Sequence, residues 1–289
     1  NASTSDLRTQ VYLPLAIGAT GNRLAVYGRM RAGVTLQIPA SDFNLAVTLE
    51  SGQAFRWRRE ADGWYAGVVG RRLIRVRQVG DRVEGNGDPH YFSLDRSLPE
   101  IVATFPREPI LETAVRRYWG LRVLRQDPWE TLVSFLISST KQIVQIRQMV
   151  EALARRFGEP LAESVYAFPE PAVLARATED ELRACGLGFR APYVLAAARA
   201  VAEGRVDWDL LRRMELARAR ETLMVLPGVG RKIADCVLLF SCGHDAACPI
   251  DVWMQRAMQR LRPGVSLGPY AGWAQQYLFH AERVMGGRL

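Results

Sequence analysis

Cysteine and histidine are scarce in this sequence, and their scarcity excludes several classes of protein. Four cysteines and three histidines occur among 289 residues. The cysteines (Cys185, Cys236, Cys242 and Cys248) form no CxxC pair, so neither a zinc nor an iron–sulfur site is predicted. They are also too few for a disulfide scaffold in a chain of this length, which favours a reducing, intracellular compartment.

Long apolar runs are missing as well, since none approaches the roughly 20 residues of a transmembrane helix. The 38 basic residues outnumber the 30 acidic ones and give a formal net charge of +8. This charge permits a polyanionic partner such as nucleic acid, although many basic proteins bind none. At roughly 150 residues per domain, the length predicts two domains.

The spacing of the apolar residues changes along the chain and predicts an α+β protein. Across residues 35–84, apolar and polar residues alternate between glycine-containing turns, which predicts an N-terminal antiparallel β domain over residues 1–95. Beyond it the period is 3.6, which predicts a helical domain of about eight helices over residues 96–289. The basic residues of the predicted strands are interpreted as a solvated sheet face: Arg56, Arg58, Arg75 and Arg77.

Several helix boundaries follow from local signals. Asp127-Pro128 predicts a helix start with an N-cap aspartate and a proline at the first helical position. The apolar stripe of residues 143–157 predicts a helix that Gly158 ends. Further helices are predicted over Trp208–Leu216 and Ala271–Met285.

The stretch Leu226–Lys232 interrupts two helical segments. Pro227, Gly228 and Gly230 forbid a continuous helix and predict a tight hairpin. The free N–H groups at the start of the second helix would bind phosphate, and such main-chain donors contact a DNA backbone without reading its sequence. A plain helix–turn–helix connector has the same pattern, so the hairpin alone leaves both interpretations open.

A lysine and a carboxylate follow the hairpin. Lys232 lies in the first turn of the second helix, where the helix dipole disfavours the charged form of an amine. Asp251 begins the next helical run, where a capping role alone would explain it. Together, an amine that attacks a sugar carbon and a carboxylate that stabilises oxocarbenium charge would suit glycosidic bond cleavage. Taken singly, each residue has a simpler structural interpretation.

Three more side chains are candidates for a pocket that holds a flat base. Cys236 lies one turn after Lys232, and Gln275 and Phe279 share one face of the last predicted helix. A thiol, an amide and an aromatic ring suit a flipped nucleobase. In the absence of other motifs, residues of the protein core would be the simpler interpretation.

Together these motifs resemble the 8-oxoguanine glycosylase/AP-lyase branch of the helix-hairpin-helix (HhH-GPD) DNA glycosylases. Besides the hairpin with Pro249-x-Asp251, the resemblance rests on segments that match in order: Ser51–Trp57, Leu124–Pro128, Leu187–Arg190 and Gly268–Gln275. It implies a bifunctional enzyme that excises 8-oxoguanine from duplex DNA through a Schiff base and then nicks the strand. The implied reaction requires no cofactor or metal. The protein is expected to be a monomer that binds no membrane and to lie in the cytosol of a prokaryote or the nucleus of a eukaryote.

The resemblance also implies roles for individual residues. Lys232 would be the nucleophile, and Asp251 would stabilise the cationic sugar and help shuttle protons. The main-chain carbonyl of Gly52 would accept the N7 proton that distinguishes 8-oxoguanine from guanine, and the missing side chain would permit this approach. The other pocket residues would stack on the base or bind its edge: Cys236, Gln275 and Phe279.

The chain departs from the eukaryotic members where they contact DNA. Thr140 replaces an asparagine, and Gln145 replaces an arginine that reads the opposite cytosine. Arg190 keeps the second such arginine, while Phe189 replaces a tyrosine wedge. Trp253 stands where the family often has a phosphate-contacting histidine. We therefore expect a weaker preference for cytosine opposite the lesion, because a bidentate charged donor is lost.

Two other functions stay open on the sequence alone. A monofunctional glycosylase for alkylated purines keeps only the aspartate, so Lys232 argues against it. A non-catalytic DNA-binding module would retain the hairpin, and it would bind the lesion without forming product.

Overall fold

The computed structural model describes residues 42–80 and 82–286. Helix α1 (Leu45–Glu50) comes first, and the side chain of Asn44 caps it by accepting a hydrogen bond from the Val47 amide over 3.0 Å. The alternating pattern expected across residues 35–84 was therefore wrong at α1, and its part before residue 42 lies outside the described residues. The buried positions Leu45, Thr48 and Leu49 are spaced as on one face of a helix.

A four-stranded antiparallel sheet follows in the order β1-β2-β3-β4. Its register places Trp57 opposite Gly67, where a Cβ atom would lie 2.7 Å from the tryptophan ring. Glycine is therefore needed at position 67 for the ring to pack. The strands are β1 (Trp57–Arg59), β2 (Tyr65–Val69), β3 (Arg72–Val79) and β4 (Arg82–Gly85).

Two arginines of the sheet enclose an aromatic ring. The guanidinium groups of Arg75 and Arg77 lie 4.3 and 4.7 Å from the ring centroid of Trp64. Each is also paired with a carboxylate at 2.8 Å, Arg75 with Glu60 and Arg77 with Glu84. Because their charges are already compensated, these arginines have a structural role on the sheet face. The solvated face that the sequence predicts was therefore wrong for Arg75, whose side chain is 18% exposed, and holds only partly for Arg77, at 39%.

Arg56 differs, and its interpretation as a solvated residue was wrong. Its side chain is buried and donates a hydrogen bond to the carbonyl oxygen of Tyr166 over 2.6 Å. The guanidinium lies 3.8 Å from the carboxylate of Glu151. Arg56 thus links the β1 edge to the helical part of the chain, whereas Arg58 is exposed.

Helices dominate the rest of the described chain, and there are more of them than the sequence predicts. A two-stranded ribbon, β5 (Pro160–Ala162) and β6 (Val165–Tyr166), lies among them. The helices are α2 (Leu98–Ala103), α3 (Pro109–Arg117), α4 (Pro128–Ile137), α5 (Ile143–Phe157), α6 (Pro171–Leu174), α7 (Glu179–Ala184), α8 (Ala191–Ala202), α9 (Trp208–Arg213), α10 (Leu216–Met224), α11 (Arg231–Ser241), α12 (Val252–Met258) and α13 (Ala271–Met285).

Local capping signals confirm most of the predicted boundaries. The Asp127 carboxylate accepts from the Glu130 amide over 2.8 Å at the start of α4, Gly158 follows the end of α5, and α13 has the predicted bounds. The single helix Trp208–Leu216 was wrong. The chain becomes extended at Met214, and the Glu215 side chain caps a separate helix by accepting from two amides.

Helices α4 and α11 form the centre of the largest core. The rings of Phe135 and Phe240 stack there with centroids 5.5 Å apart. Leu124 packs instead beneath the sheet, and its amide donates to the Gln53 side chain over 2.7 Å.

The domain boundary between residues 95 and 96 stays a prediction. None of the helices in the described residues has the length and hydropathy that a membrane span requires.

Candidate active site

The predicted hairpin joins α10 to α11. Gly228 has φ +81°, a conformation that side chains disfavour, and a Cβ atom there would lie 2.7 Å from the ring of Tyr193. Gly230 is the N-cap of α11 and offers no side chain to its first turn. The first amides of α11 therefore lack side-chain acceptors from their cap and can donate to an anion.

Lys232 lies in the first turn of α11 and is half-buried. Its Nζ atom is 3.4 Å from the Ser138 hydroxyl and 5.4 Å from the ring centroid of Phe135. Both neighbours belong to the end of α4 and its C-cap. The amine is thus held beside a helix terminus and an aromatic ring instead of extending into solvent.

Asp251 is the N-cap of α12, and its Oδ1 atom accepts a hydrogen bond from the Met254 amide over 2.8 Å. This contact fixes the carboxylate at the end of the connection from α11. The capping role considered for this residue is therefore confirmed. It is compatible with a chemical role, because a capping carboxylate retains acceptor sites beyond one amide bond.

Cys236 lies within electrostatic range of both groups. Burial raises the pKa of its thiol to about 12, while the nearby Lys232 amine lowers that pKa and the carboxylates of Asp235 and Asp251 raise it. The thiol is therefore neutral near pH 7. Lys232, on the same helix, and Asp251, from the next helix, are thus both close enough to act on the Cys236 thiol.

Gly52 lies directly against Phe279. A Cβ atom on this glycine would be 3.5 Å from the phenylalanine ring and 3.1 Å from the side chain of Ile143, and its φ is +86°. Phe55 of the same segment packs edge-on against Phe135 at 5.5 Å. Since Phe135 also neighbours Lys232, the loop of residues 51–57 contacts both α13 and the surroundings of the lysine.

Gln275 is buried on α13, 4% exposed, and its Oε1 atom has no hydrogen-bond partner. An unpartnered buried amide oxygen is costly in a folded protein, so the observation suggests that a ligand supplies the missing donor.

The residues predicted to face the opposite strand form two groups. Arg190 is buried, 3% exposed, and donates to the Thr140 hydroxyl over 2.9 Å and to the carbonyl oxygen of Ser139. The guanidinium also lies 4.2 Å from the ring centroid of Phe189, which is 62% exposed. Gln145, in contrast, uses its side chain to cap the start of α5.

Trp253 lies in the first turn of α12 and is half-buried. The guanidinium of Arg256 covers its ring at 5.0 Å. This position, two residues after Asp251, therefore carries an aromatic ring with an adjacent cation.

Sequence reasoning missed two residues that contact the Gly52 segment. Gln276 donates to the carbonyl oxygen of Ser51 over 3.2 Å, and Arg283 donates to that of Glu50 over 2.6 Å. The available signal was their helical spacing, because both share a face of α13 with Phe279.

Family models match the chain in two parts. Residues 35–85 and 89–132 match the N-terminal domain of 8-oxoguanine DNA glycosylase, and residues 133–265 match the HhH-GPD superfamily of base excision DNA repair proteins. The N-glycosylase/DNA lyase OGG1 of Arabidopsis thaliana is 33% identical over 86% of this chain and 79% of that protein. The chain belongs to the 8-oxoguanine DNA glycosylase family.

Solved structures of this glycosylase family have the same fold. The structure of MBOgg1 in complex with a low-affinity DNA ligand superposes with a TM-score of 0.80 at 36% identity, covering 87% of this chain and 95% of that one. The Clostridium acetobutylicum 8-oxoguanine glycosylase/lyase, in complex with double-stranded DNA containing cytosine opposite 8-oxoG, has a TM-score of 0.78 at 32% identity and covers 84% and 93%.

Proposed function

We propose that this protein is a bifunctional DNA glycosylase and AP lyase that excises 8-oxoguanine from duplex DNA. Its family membership supports the reaction class, since relatives bear the names N-glycosylase/DNA lyase and 8-oxoguanine glycosylase/lyase. The observation that carries the proposal is the Lys232 amine, half-buried in the first turn after the hairpin, where its Nζ atom lies 3.4 Å from the Ser138 hydroxyl and 5.4 Å from the Phe135 ring centroid.

The chemistry assigns Lys232 as the nucleophile. Its nitrogen bonds to C1′ of the damaged nucleotide while the bond from C1′ to the base breaks, and the departing base takes up the proton that the amine loses. Opening of the sugar ring gives a Schiff base, and β-elimination then breaks the bond from C3′ to its oxygen. The Asp251 carboxylate stabilises the positive charge on the sugar. This reaction needs no metal or organic cofactor.

The base pocket would read the lesion by stacking and hydrogen bonds. The Phe279 ring and the neutral thiol of Cys236 would stack on the flipped base. The Gln275 amide would bind its Watson–Crick edge, which would satisfy the unpartnered Oε1 atom. The Gly52 carbonyl would accept the N7 proton that guanine lacks.

Contacts to the duplex would come from the hairpin and the opposite-strand residues. The first amides of α11, exposed by Gly228 and Gly230, would hold a phosphate without reading sequence. Phe189 would insert at the site that the flipped base leaves, since its ring is largely exposed. The remaining contacts would involve Thr140, Gln145, Arg190 and Trp253.

The test is borohydride trapping on a duplex that contains 8-oxoguanine. Lys141 and Lys232 are the only lysines in the sequence, which makes the assignment unusually clear. Lys232→Gln should abolish both base release and the covalent adduct, whereas Lys141→Gln should keep both. An adduct that persists in Lys232→Gln would refute the proposal. Release of methylated bases without any adduct would indicate the monofunctional alternative, and binding without product the non-catalytic one.

A further inference from the structure

The C-terminal end of α1 is held by side chains from α13. A helix leaves its last carbonyl groups without intrahelical partners. Here the carbonyl of Glu50 accepts from Arg283 over 2.6 Å, and the carbonyl of Ser51 accepts from Gln276 over 3.2 Å. Two consecutive peptide units before Gly52 are therefore fixed by a helix that lies more than 200 residues away in the sequence.

The same face of α13 carries the aromatic ring that meets Gly52. Gln276, Phe279 and Arg283 are spaced three and four residues apart, so they form one stripe along the helix. Phe279 would lie 3.5 Å from a Cβ atom on Gly52, and the Arg283 guanidinium lies 5.9 Å from the phenylalanine ring centroid. A single rigid element thus contacts three successive residues of the segment.

Glycine needs such support at this position. Gly52 has φ +86°, and without a Cβ atom its backbone has more conformational freedom than that of other residues. The peptide group between Ser51 and Gly52 is planar, so a donor on the Ser51 carbonyl also sets the direction in which the Gly52 backbone continues. Gln276 is 2% exposed, which confines its amide to this contact.

We infer that Gln276 and Arg283 are positioning residues that set the Gly52 carbonyl at a fixed place relative to the Phe279 ring, and thereby determine lesion specificity. The inference rests on the proposed function, because it assigns the Gly52 carbonyl to the lesion. The stacking ring and the reading carbonyl keep their separation because both are attached to α13. Gln276 and Arg283 act through the Ser51 and Glu50 carbonyls and are assigned no contact with the base.

The two steps of the reaction separate this role from a general structural one. Excision of 8-oxoguanine needs the base pocket, whereas strand cleavage at a preformed abasic site needs Lys232 but no base. A displaced carbonyl should therefore slow excision and leave cleavage of the abasic site unchanged. Misplacement of a positioning contact by about 1 Å can cost about 100-fold in rate.

The experiment compares single-turnover rates on duplexes with 8-oxoguanine or an abasic site at the same position. Gln276→Leu and Arg283→Met should each reduce excision about 10- to 100-fold and leave abasic-site cleavage within about twofold. Arg283→Lys, which keeps a donor, should recover most of the loss. Arg199→Met is the matched control, because Arg199 also donates to a backbone carbonyl, that of Ala175, from an exposed position on α8.

Unchanged excision in both variants would overturn the inference, as would an equal loss on both substrates. If Gln276→Leu fails to fold, Arg283→Met and Arg283→Lys carry the test alone, since Arg283 is only half-buried. Failure of the proposed function has a different signature. In that case the unmodified protein neither excises 8-oxoguanine nor cleaves the abasic site.

Discussion

Arg190 donates a hydrogen bond to the hydroxyl of Thr140 over 2.9 Å, and the backbone of Thr140 has the left-handed conformation, with φ +57°. A β-branched residue is rarely found there, because its side chain crowds the backbone. The strain is located at the C-terminal end of the α4 segment, where it places the hydroxyl beside the buried guanidinium. The pair thus connects backbone strain to the orientation of an arginine that we assign to the opposite strand.

Thr140→Asn should stabilise the protein. Asparagine tolerates the left-handed conformation, whose cost for an ordinary L-residue is about 1–2 kcal/mol, and its side-chain oxygen can still accept from Arg190. We expect the free energy of unfolding in urea to rise by about 1 kcal/mol. Thr222→Asn, at an exposed helical position, should change it only slightly. Equal effects of the two substitutions would show that residue 140 is not strained.

The two glycines of the hairpin should differ in their response to alanine. Gly228→Ala forces a side chain into φ +81° and into the ring of Tyr193, which should cost roughly 2–4 kcal/mol and weaken binding to undamaged duplex. Gly230→Ala is the matched control, because its φ is −90° and no atom lies within 4 Å of the new Cβ. Adding Tyr193→Ala to Gly228→Ala should recover part of the loss. Equal destabilisation by the two glycine substitutions, measured in urea, would contradict this account.

Removing one partner of the ion pair between Arg220 and Asp235 should destabilise the protein more than replacing both partners. Arg220 Nε lies 2.7 Å from Asp235 Oδ1, and burial raises the pKa of that carboxyl although the arginine lowers it. Arg220→Met would leave the buried carboxylate of Asp235 with only the exposed Arg231, whose Nε lies 3.9 Å from Oδ2, and should cost about 3 kcal/mol near pH 7. The double variant Arg220→Met/Asp235→Leu should recover most of that loss.

The pH dependence gives the Arg220→Met prediction a second readout. Without Arg220 the carboxyl pKa rises further, so the folded state binds the proton more tightly than the unfolded state. The penalty should therefore be smallest below pH 4 and grow as the pH rises. Urea unfolding across this range measures it. A penalty that is independent of pH would show that lost packing, and not the unpaired charge, is responsible.

Local signals explain which parts of the fold were predictable. Asp127 and Gly158 mark helix ends because they cap them. The hairpin glycines mark a turn because glycine adopts backbone conformations that other residues avoid. None of these signals needs a distant partner. Helix α1 was missed because over six residues the spacing of Leu45 and Leu49 fits a helix as well as a strand. Glu215 was missed because a cap inside an apolar pattern is overlooked when the pattern continues on both sides.

Partners across the chain explain what could not be predicted at the site. The family pattern picked out Lys232, Asp251 and Gly52 as candidates, but it carries no information on what each side chain touches. Arg190 is buried against a carbonyl 51 residues away, and the partner of Gln276 is 225 residues away. Such contacts depend on how helices pack, and helix spacing alone shows only which residues share a face.

His280 should make the protein sensitive to mild acid. Burial lowers the pKa of its imidazole to about 4, and Arg283, whose guanidinium lies 3.3 Å from Nδ1, adds to this effect. Because this pKa is below the unfolded value, the unfolded state gains the proton first as the pH falls through about 6.5. Between that pH and 4 the protein should lose about 3 kcal/mol of stability from this group.

His280→Gln should remove most of that acid sensitivity, whereas His90→Gln should not, because His90 is exposed. Urea unfolding at pH values from 7 to 4 gives the comparison. Parallel pH profiles for the unmodified protein and His280→Gln would contradict the assignment of this step to His280.

Gln145→Arg should sharpen the preference for cytosine opposite the lesion. The present side chain accepts from the Gln142 amide over 3.1 Å as part of the α5 cap, and it offers no charged bidentate donor to a base. We therefore expect the unmodified protein to excise 8-oxoguanine opposite all four bases with a modest bias towards cytosine. An added arginine should increase the bias by about 1–3 kcal/mol, which corresponds to about 5- to 150-fold.

The gain in discrimination should be accompanied by a loss of stability, because Gln145→Arg removes half of the capping interaction. That loss should be about 1 kcal/mol in urea, as for other N-terminal caps. Gln148→Arg adds the same charge at an exposed position on the same helix, and it should change neither the opposite-base ratio nor the cap. Rates on the four duplexes decide the matter. A strict requirement for cytosine in the unmodified protein would mean that Arg190 leaves its contact with Thr140 and reads the base without help from residue 145.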